Sequence, residues 1–155
     1  MRAVIAVLLM TLAGLAQAVE TGTRLAPWTL LDQYDQPYTL DDGLQLLLVA
    51  RDMDGAKLVK AALEGKPKGY LEARKAVFLA DVSRMPAIIS KLFAVPAMRD
   101  YNYRVLLDRE SRVAPRYSAE PGSVLLLRLD QGVVTESLQF TDSDALQAIL
   151  ESSAE

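Results

Sequence analysis

The chain has 155 residues, 17 basic against 20 acidic, a formal charge of −3, and neither cysteine nor histidine. Without those two side chains, thiol redox chemistry, Cys or Ser-His nucleophilic catalysis, and the zinc and haem sites that rely on them are excluded. The basic residues are scattered rather than striped along one face, so nucleic acid is not an expected partner.

Met1-Arg2, an apolar run over residues 3–16 broken only by Thr11 and Gly14, and Ala16-Gln17-Ala18 form the charged, apolar and small-residue regions of a secretory signal. The run falls short of the roughly 20 apolar residues that span a bilayer. Cleavage is expected after Ala18, giving a periplasmic or secreted protein with no stable membrane anchor. Residues 19–155 then make one domain able to bury its own core. Losing Arg2 takes the formal charge from −3 to −4. Disulfides are permitted outside the cytoplasm, so a cysteine-free chain must draw its stability from packing.

Next, β-prone residues on either side of Gln33-Tyr34-Asp35-Gln36-Pro37 predict a hairpin, with Trp28 as a core or lid side chain or else as a ligand-stacking residue. Residues 46–50 are a continuous apolar run of strand length, the mark of a central parallel strand covered on both faces. Asp54 then stands as N-cap of a helix over residues 55–64, with Leu58, Val59, Ala62 and Leu63 inward and Gly65 and Pro67 closing it. A short helical turn over residues 70–74 precedes a second buried strand at 75–82. Ser83 is expected to cap the next helix, where Met85, Ile88, Ile89, Leu92 and Phe93 recur at helical spacing and should face the core. Pro86 suits its first turn and Pro96 should end it.

Residues 103–108 read as a third strand, and residues 109–120 as irregular or briefly helical around Pro115. Residues 123–129 and 133–140 form a hairpin about Asp130-Gln131-Gly132. A last helix starts near Asp142 and buries Leu146, Ile149 and Leu150. This order predicts an α/β fold: parallel strands joined by crossovers, an antiparallel hairpin, and helices on both faces of a mixed sheet.

Pro27-Trp28-Thr29-Leu30 with Asp32, then Pro37-Tyr38-Thr39-Leu40, resembles the entry hairpin of the redoxins. Val105-Leu106-Leu107-Asp108, continuing through Val113-Ala114 and Tyr117 to Leu125-Leu126-Leu127 and Gly132-Val133-Val134, resembles their C-terminal half. Over most of residues 19–155 the chain is similar to the thioredoxin-like superfamily, and in character to its cysteine-free periplasmic members such as the YtfJ-type proteins. The resemblance implies a thioredoxin-like three-layer sandwich with a mixed central sheet and an N-terminal β-hairpin. With Val49 at the usual aromatic position of the strand end, the redoxin Cys-x-x-Cys falls on Asp54-Gly55-Ala56-Lys57. The family's cis-proline falls on Ser123, two residues beyond Pro121. A fold does not carry its function when the site is absent, so thiol oxidoreductase and peroxidase activities are not transferred.

In open α/β sheets, ligands bind beyond the carboxyl ends of the parallel strands. Asp52, Asp54, Asp81 and Asp108 each follow such a strand, and either gather around a hard cation or an amine or serve as caps and turn residues. Asp52-x-Asp54-Gly55 is not an EF-hand, because Gly55 at the sixth loop position puts Ala50 first and Ala61 twelfth. Met53, Met85 and Met98 offer soft sulfur suited to Cu(I), or fill the core. Tyr101 and Tyr103 flank Asn102 as an aromatic contact surface or as ordinary strand-edge residues. The expected binding surface is therefore the loops from Arg51 to Lys57 and from Ser83 to Met85, with Arg51, Asp52, Met53, Asp54, Lys57, Asp81, Met85 and Asp108 as its candidate residues and with Tyr101 and Tyr103 beside them. No catalytic residue, metal ligand set or cofactor is assigned. The reading is of an exported thioredoxin-fold binding module for a periplasmic protein or peptide. Its alternatives are a carboxylate-dependent, metal-assisted hydrolase and a redox protein working through a bound cofactor, for which no motif is present.

Overall fold

The computed structural model describes residues 19–153, so the signal expected over residues 1–18 lies outside the described residues. The uninterrupted apolar runs form the centre of the sheet. β3 (Leu46–Ala50) is buried at all five positions and runs parallel to β4 (Ala76–Asp81), which runs parallel to β5 (Val105–Asp108). The entry hairpin, β1 (Thr29–Asp32) and β2 (Pro37–Thr39), extends the sheet antiparallel beyond β5, and β2 carries its proline on an edge strand, where a missing amide hydrogen is tolerated. β6 (Val124–Asp130) and β7 (Val133–Phe140) extend it antiparallel beyond β3. Gln131 and Gly132 between them have φ of 51° and 81°, the two positive values a two-residue I′ turn requires. The seven strands lie in the order β2-β1-β5-β4-β3-β6-β7.

Parallel neighbours need crossovers. α1 (Met53–Ala62) and α2 (Tyr70–Ala73) join β3 to β4, and a bent helix of α3 (Ala87–Ile89), a π-helical turn (Ser90–Ala94) and α4 (Val95–Met98) joins β4 to β5. α5 (Ser143–Ser152) follows β7, capped by the Asp142 carboxylate. Strand alternation then divides the core. Leu46, Leu48, Phe78 and Leu107 meet Val59 of α1, Leu71 of α2, Val95 and Met98 of α4, and Leu146 and Leu150 of α5. Leu47, Val49, Leu79 and Leu106 face the other way, onto Trp28, Leu40, Val113 and Tyr117. The α-helices thus cover one face only, against the expectation of helices on both. Right-handed crossovers that step the same way twice, β3 to β4 to β5, must fall on the same side. The third layer is the N-terminal segment and a 3₁₀ turn (Ala114–Tyr117), fastened by the Trp28 indole N–H donating to the Tyr117 hydroxyl.

The bent helix corrects three expectations. Ser83 does not cap it; the Ser83 amide donates to Asp81, and the helix opens after Pro86 with no side-chain cap. The predicted stripe does not face the core either: Ile88, Ile89, Leu92 and Phe93 are 69, 45, 61 and 64 % exposed. Ser90, Val95 and Met98 are buried in their place. Their spacing of five then three fits the π turn, where the Val95 amide reaches back five residues to the Ser90 carbonyl. Nor does Pro96 end the helix, because it sits in the first turn of α4 after the π turn has changed the bonding register.

Gln33, absent from the predicted core, is fully buried and fastens this helix to β5. Its Nε2 donates to the carbonyls of Met98 (3.2 Å) and Tyr103 (2.9 Å), and its Oε1 accepts the Val105 amide (2.9 Å).

Candidate functional site at the carboxyl edge of the parallel strands

Because β3, β4 and β5 are parallel, whatever follows each arrives at one edge of the sheet. Asp52, Asp81 and Asp108 do so, with Asp81 and Asp108 paired in register. Asp52 is the N-cap of α1, with Oδ1 accepting the Gly55 amide at 2.9 Å. Asp54 is therefore not the cap; it is exposed in the first turn, because the strand turns into helix two residues sooner than expected. The second oxygen of Asp52 accepts the Gly122 amide at 2.8 Å, tying the helix start to the loop before β6.

The same junction explains Gly55. A Cβ there would lie 2.4 Å from the Ser123 carbonyl oxygen and 3.1 Å from the Ala50 Cβ, so only glycine admits this approach. The segment aligned with the redoxin cysteines and the segment aligned with their proline are thus in contact. Ser123 is held by its hydroxyl to the Glu120 carbonyl and Gln139, and the described peptide bonds are all trans.

The other two carboxylates are equally engaged. Asp81 accepts the Ser83 amide and the Ser111 hydroxyl, each at 2.9 Å. Asp108 is buried and accepts three amides, from Arg112 (3.0 Å), Val113 (2.8 Å) and Ala114 (2.7 Å), which shapes the loop into the 3₁₀ turn. Among the described residues no group of three or more carboxylates is placed to hold a metal ion. The gathering of acids considered from the sequence is thus a set of separate caps and turns.

What the edge does offer is a cleft of about 370 Å³. Arg51 at the end of β3 and Arg84 after β4 form one side with Asp81, while Pro115, Glu120 and Pro121 come from the segment between β5 and β6. Among the described residues neither Arg51 nor Arg84 engages in an ion pair, and the Glu120 carboxylate is likewise unpaired. Glu120 lay outside every segment expected to form the surface, whereas Arg84 fell within the expected loop from Ser83 to Met85 without being named on its own. Arg84 stands directly beyond the second parallel strand, and that position was the available signal.

The remaining predicted residues divide among other places. Met53 is exposed at the start of α1, Met98 is in the helix-side core, and Met85 lines a separate hollow beside the bent helix. Tyr101 and Tyr103 precede β5, so they stand toward the amino ends of the parallel strands rather than beside Asp52. Their rings stack at 5.1 Å, Lys60 Nζ lies 5.1 Å from the Tyr101 ring centre, and together with Lys57 they line a hollow of about 390 Å³ along α1. Burial pushes the Tyr103 phenol well above its ordinary 10.0, and Tyr101 beside it adds to the shift.

No protein-family model matches the chain, and no curated protein matches its sequence. Solved structures do share its fold. Peroxidoxin BcpB from Mycobacterium tuberculosis aligns with a TM-score of 0.59 at 17 % identity, over 87 % of this chain and 96 % of that one. A putative thiol:disulfide interchange protein DsbE from Chlorobium tepidum aligns at 0.58 and 15 % identity, over 89 % and 100 %. The thioredoxin domain of a thiol-disulfide oxidoreductase from Bacteroides vulgatus aligns at 0.57 and 14 %, over 89 % and 100 %. Identities this low establish architecture and nothing of activity. The chain has a thioredoxin-like fold without a cysteine.

Proposed function

We propose that this is an exported, cysteine-free binding module that holds a polypeptide segment of a periplasmic partner in the cleft at its carboxyl edge. The observation that carries the reading is the state of the charged groups there. Asp52, Asp81 and Asp108 are committed to holding loops together, while the side-chain charges of Arg51, Arg84 and Glu120 make no ion pair among the described residues. A cleft with unpaired charges of both signs suits a segment of chain with alternating polarity better than a bare anion. The structural neighbours bear names of thiol chemistry, and the redoxin resemblance puts Asp54 and Lys57 of this chain where paired sulfurs would stand. Export rests on the N-terminal pattern: exported material should begin at Val19, and intact Met1 in that material would count against it.

The test is crosslinked capture from an exported fraction. Arg51→Glu with Arg84→Glu should lower capture by at least about tenfold, the equivalent of about 1.4 kcal/mol. Lys60→Glu, at the opposite end of the helix face, should leave it unchanged. Capture that survives the first pair and is lost with the second would move the site away from this edge.

A further inference from the structure

The bent helix presents an apolar face that the fold does not use, and we propose that this face docks the protein on the surface of an anionic phospholipid bilayer. Ile88, Ile89, Leu92 and Phe93 form one stripe, and each is 45 % exposed or more. The π turn is the cause, since it commits Ser90, Val95 and Met98 to the sheet and turns the larger stripe outward. Contiguous exposed apolar side chains on a folded domain mark a contact surface.

Charge identifies the surface. Residues 82–99 carry Arg84, Lys91 and Arg99 and no acidic residue, in a chain whose net charge is −3. Beside the stripe lies a hollow of about 480 Å³ lined by Ser83, Arg84, Met85, Ser90, Lys91 and Arg109, again with no acid. Three cations and two serines bordering an apolar ridge match a phosphodiester headgroup over acyl chains. Acids stand at both ends of the segment, Asp81 before it and Asp100 after it, and Asp35 lies 4.0 Å from both Arg99 and Arg109, so the cation nearest the middle of the stripe, Lys91, is the one least offset.

A bilayer is favoured over an acidic protein because the stripe stands out on a convex helix rather than lining a groove. An interfacial helix with a basic border lies in the membrane plane, with its apolar side chains at the acyl boundary and its cations among anionic headgroups. No helix among the described residues is long and apolar enough to cross a membrane, so the docking is peripheral and reversible.

Vesicle flotation tests this with the full chain and with the chain begun at Val19, which omits the apolar run over residues 3–16 but keeps every element described. The shorter chain should partition onto phosphatidylglycerol-containing vesicles at least about tenfold better than onto phosphatidylcholine alone. Binding should fall as salt rises from about 0.1 M to about 1 M and the Debye length contracts from about 10 Å to about 3 Å. Leu92→Ser with Phe93→Ser, and separately Lys91→Glu, should each lower partitioning by about tenfold or more with an unchanged circular dichroism spectrum. Lys91 is used because Arg84 also borders the peptide cleft, so loss of this surface is distinguishable from loss of that one. Absence of flotation, or equal flotation of wild type and the Leu92/Phe93 variant, overturns the proposal. So does a dimer, or capture of an acidic protein, that depends on these residues while vesicles are ignored.

Discussion

Replacing Asp52 by alanine should cost about 2 kcal/mol, although a loop residue between a strand and a helix ordinarily tolerates substitution. Its two oxygens do different work: Oδ1 caps α1 at Gly55 and Oδ2 holds Gly122. Loss of an N-cap costs about 1 kcal/mol, and loss of a negative charge at a helix N-terminus about 0.5 kcal/mol. The bond from Gly122 to a charged acceptor adds about 1.5 kcal/mol, but Asp52 is only half-buried, so water recovers part of the total. At about 4 °C per kcal/mol for a domain of this size the midpoint should fall by about 8 °C. Asp52→Asn keeps one acceptor for Gly55 and presents a donor to Gly122, so about 1 kcal/mol is expected. Asp54→Ala loses only an exposed charge in the first turn and should cost no more than about 0.5 kcal/mol. Urea unfolding of the three variants checks the order. If Asp54→Ala cost as much as Asp52→Ala, the cap would be misassigned and the Gly122 tie would not matter.

Gly55→Ala should destabilise by about 2 kcal/mol despite alanine's better helix propensity, because its Cβ meets the Ser123 carbonyl; a stabilised variant in the same urea assay would contradict the close approach. Gln33→Leu leaves the Val105 amide and the Tyr103 carbonyl without their side-chain partner, while the Met98 carbonyl keeps the Tyr101 amide, and should cost about 2 kcal/mol, read by thermal unfolding, whereas a loss under about 0.5 kcal/mol would show that water replaces it. Tyr38, Tyr103 and Tyr117 all have phenols raised above 10.0, chiefly by burial. Their contribution to stability is complete below pH 10, where the unfolded phenols are still protonated, and is lost as pH rises beyond it, so urea midpoints should fall steeply on the alkaline side and Tyr103→Phe should blunt the fall. The purified protein should neither reduce disulfides nor consume peroxide with thiol reductants, since it forms no thiolate, and measurable turnover would refute this.

Strand positions were legible because a strand covered on both faces can be apolar without interruption, and residues 46–50 and 105–107 have no other use for such a run. The hairpin at Gln131-Gly132 was equally plain, since a two-residue loop with positive φ leaves few residue choices. Helix orientation was not legible in the same way. Residues 85–98 carry two apolar stripes, and periodicity favours the longer one, Ile88, Ile89, Leu92 and Phe93. The shorter one is buried because Val95 and Met98 lead into the segment that Gln33 anchors to β5, and a π turn supplies the rotation. Neither the anchor nor the extra residue in the turn has a periodic signature.

The carboxylates show the same division between place and role. Topology put Asp52, Asp81 and Asp108 at one edge, correctly, but a carboxylate that holds a ligand and one that holds a loop are wanted at the same position. Only the direction of nearby amides separates them, and here seven donors, six backbone amides and one hydroxyl, point at these three side chains. Each bond commits an oxygen to the fold and makes the loop it holds less able to move. The acids therefore stiffen the edge, and under the function proposed above recognition would fall to the charged groups on it that no backbone amide requires. At this edge those are Arg51, Arg84 and Glu120, so a ligand of the cleft should be sensitive to reversing their charge and largely indifferent to Asp81 and Asp108, provided the loops those two residues hold stay folded.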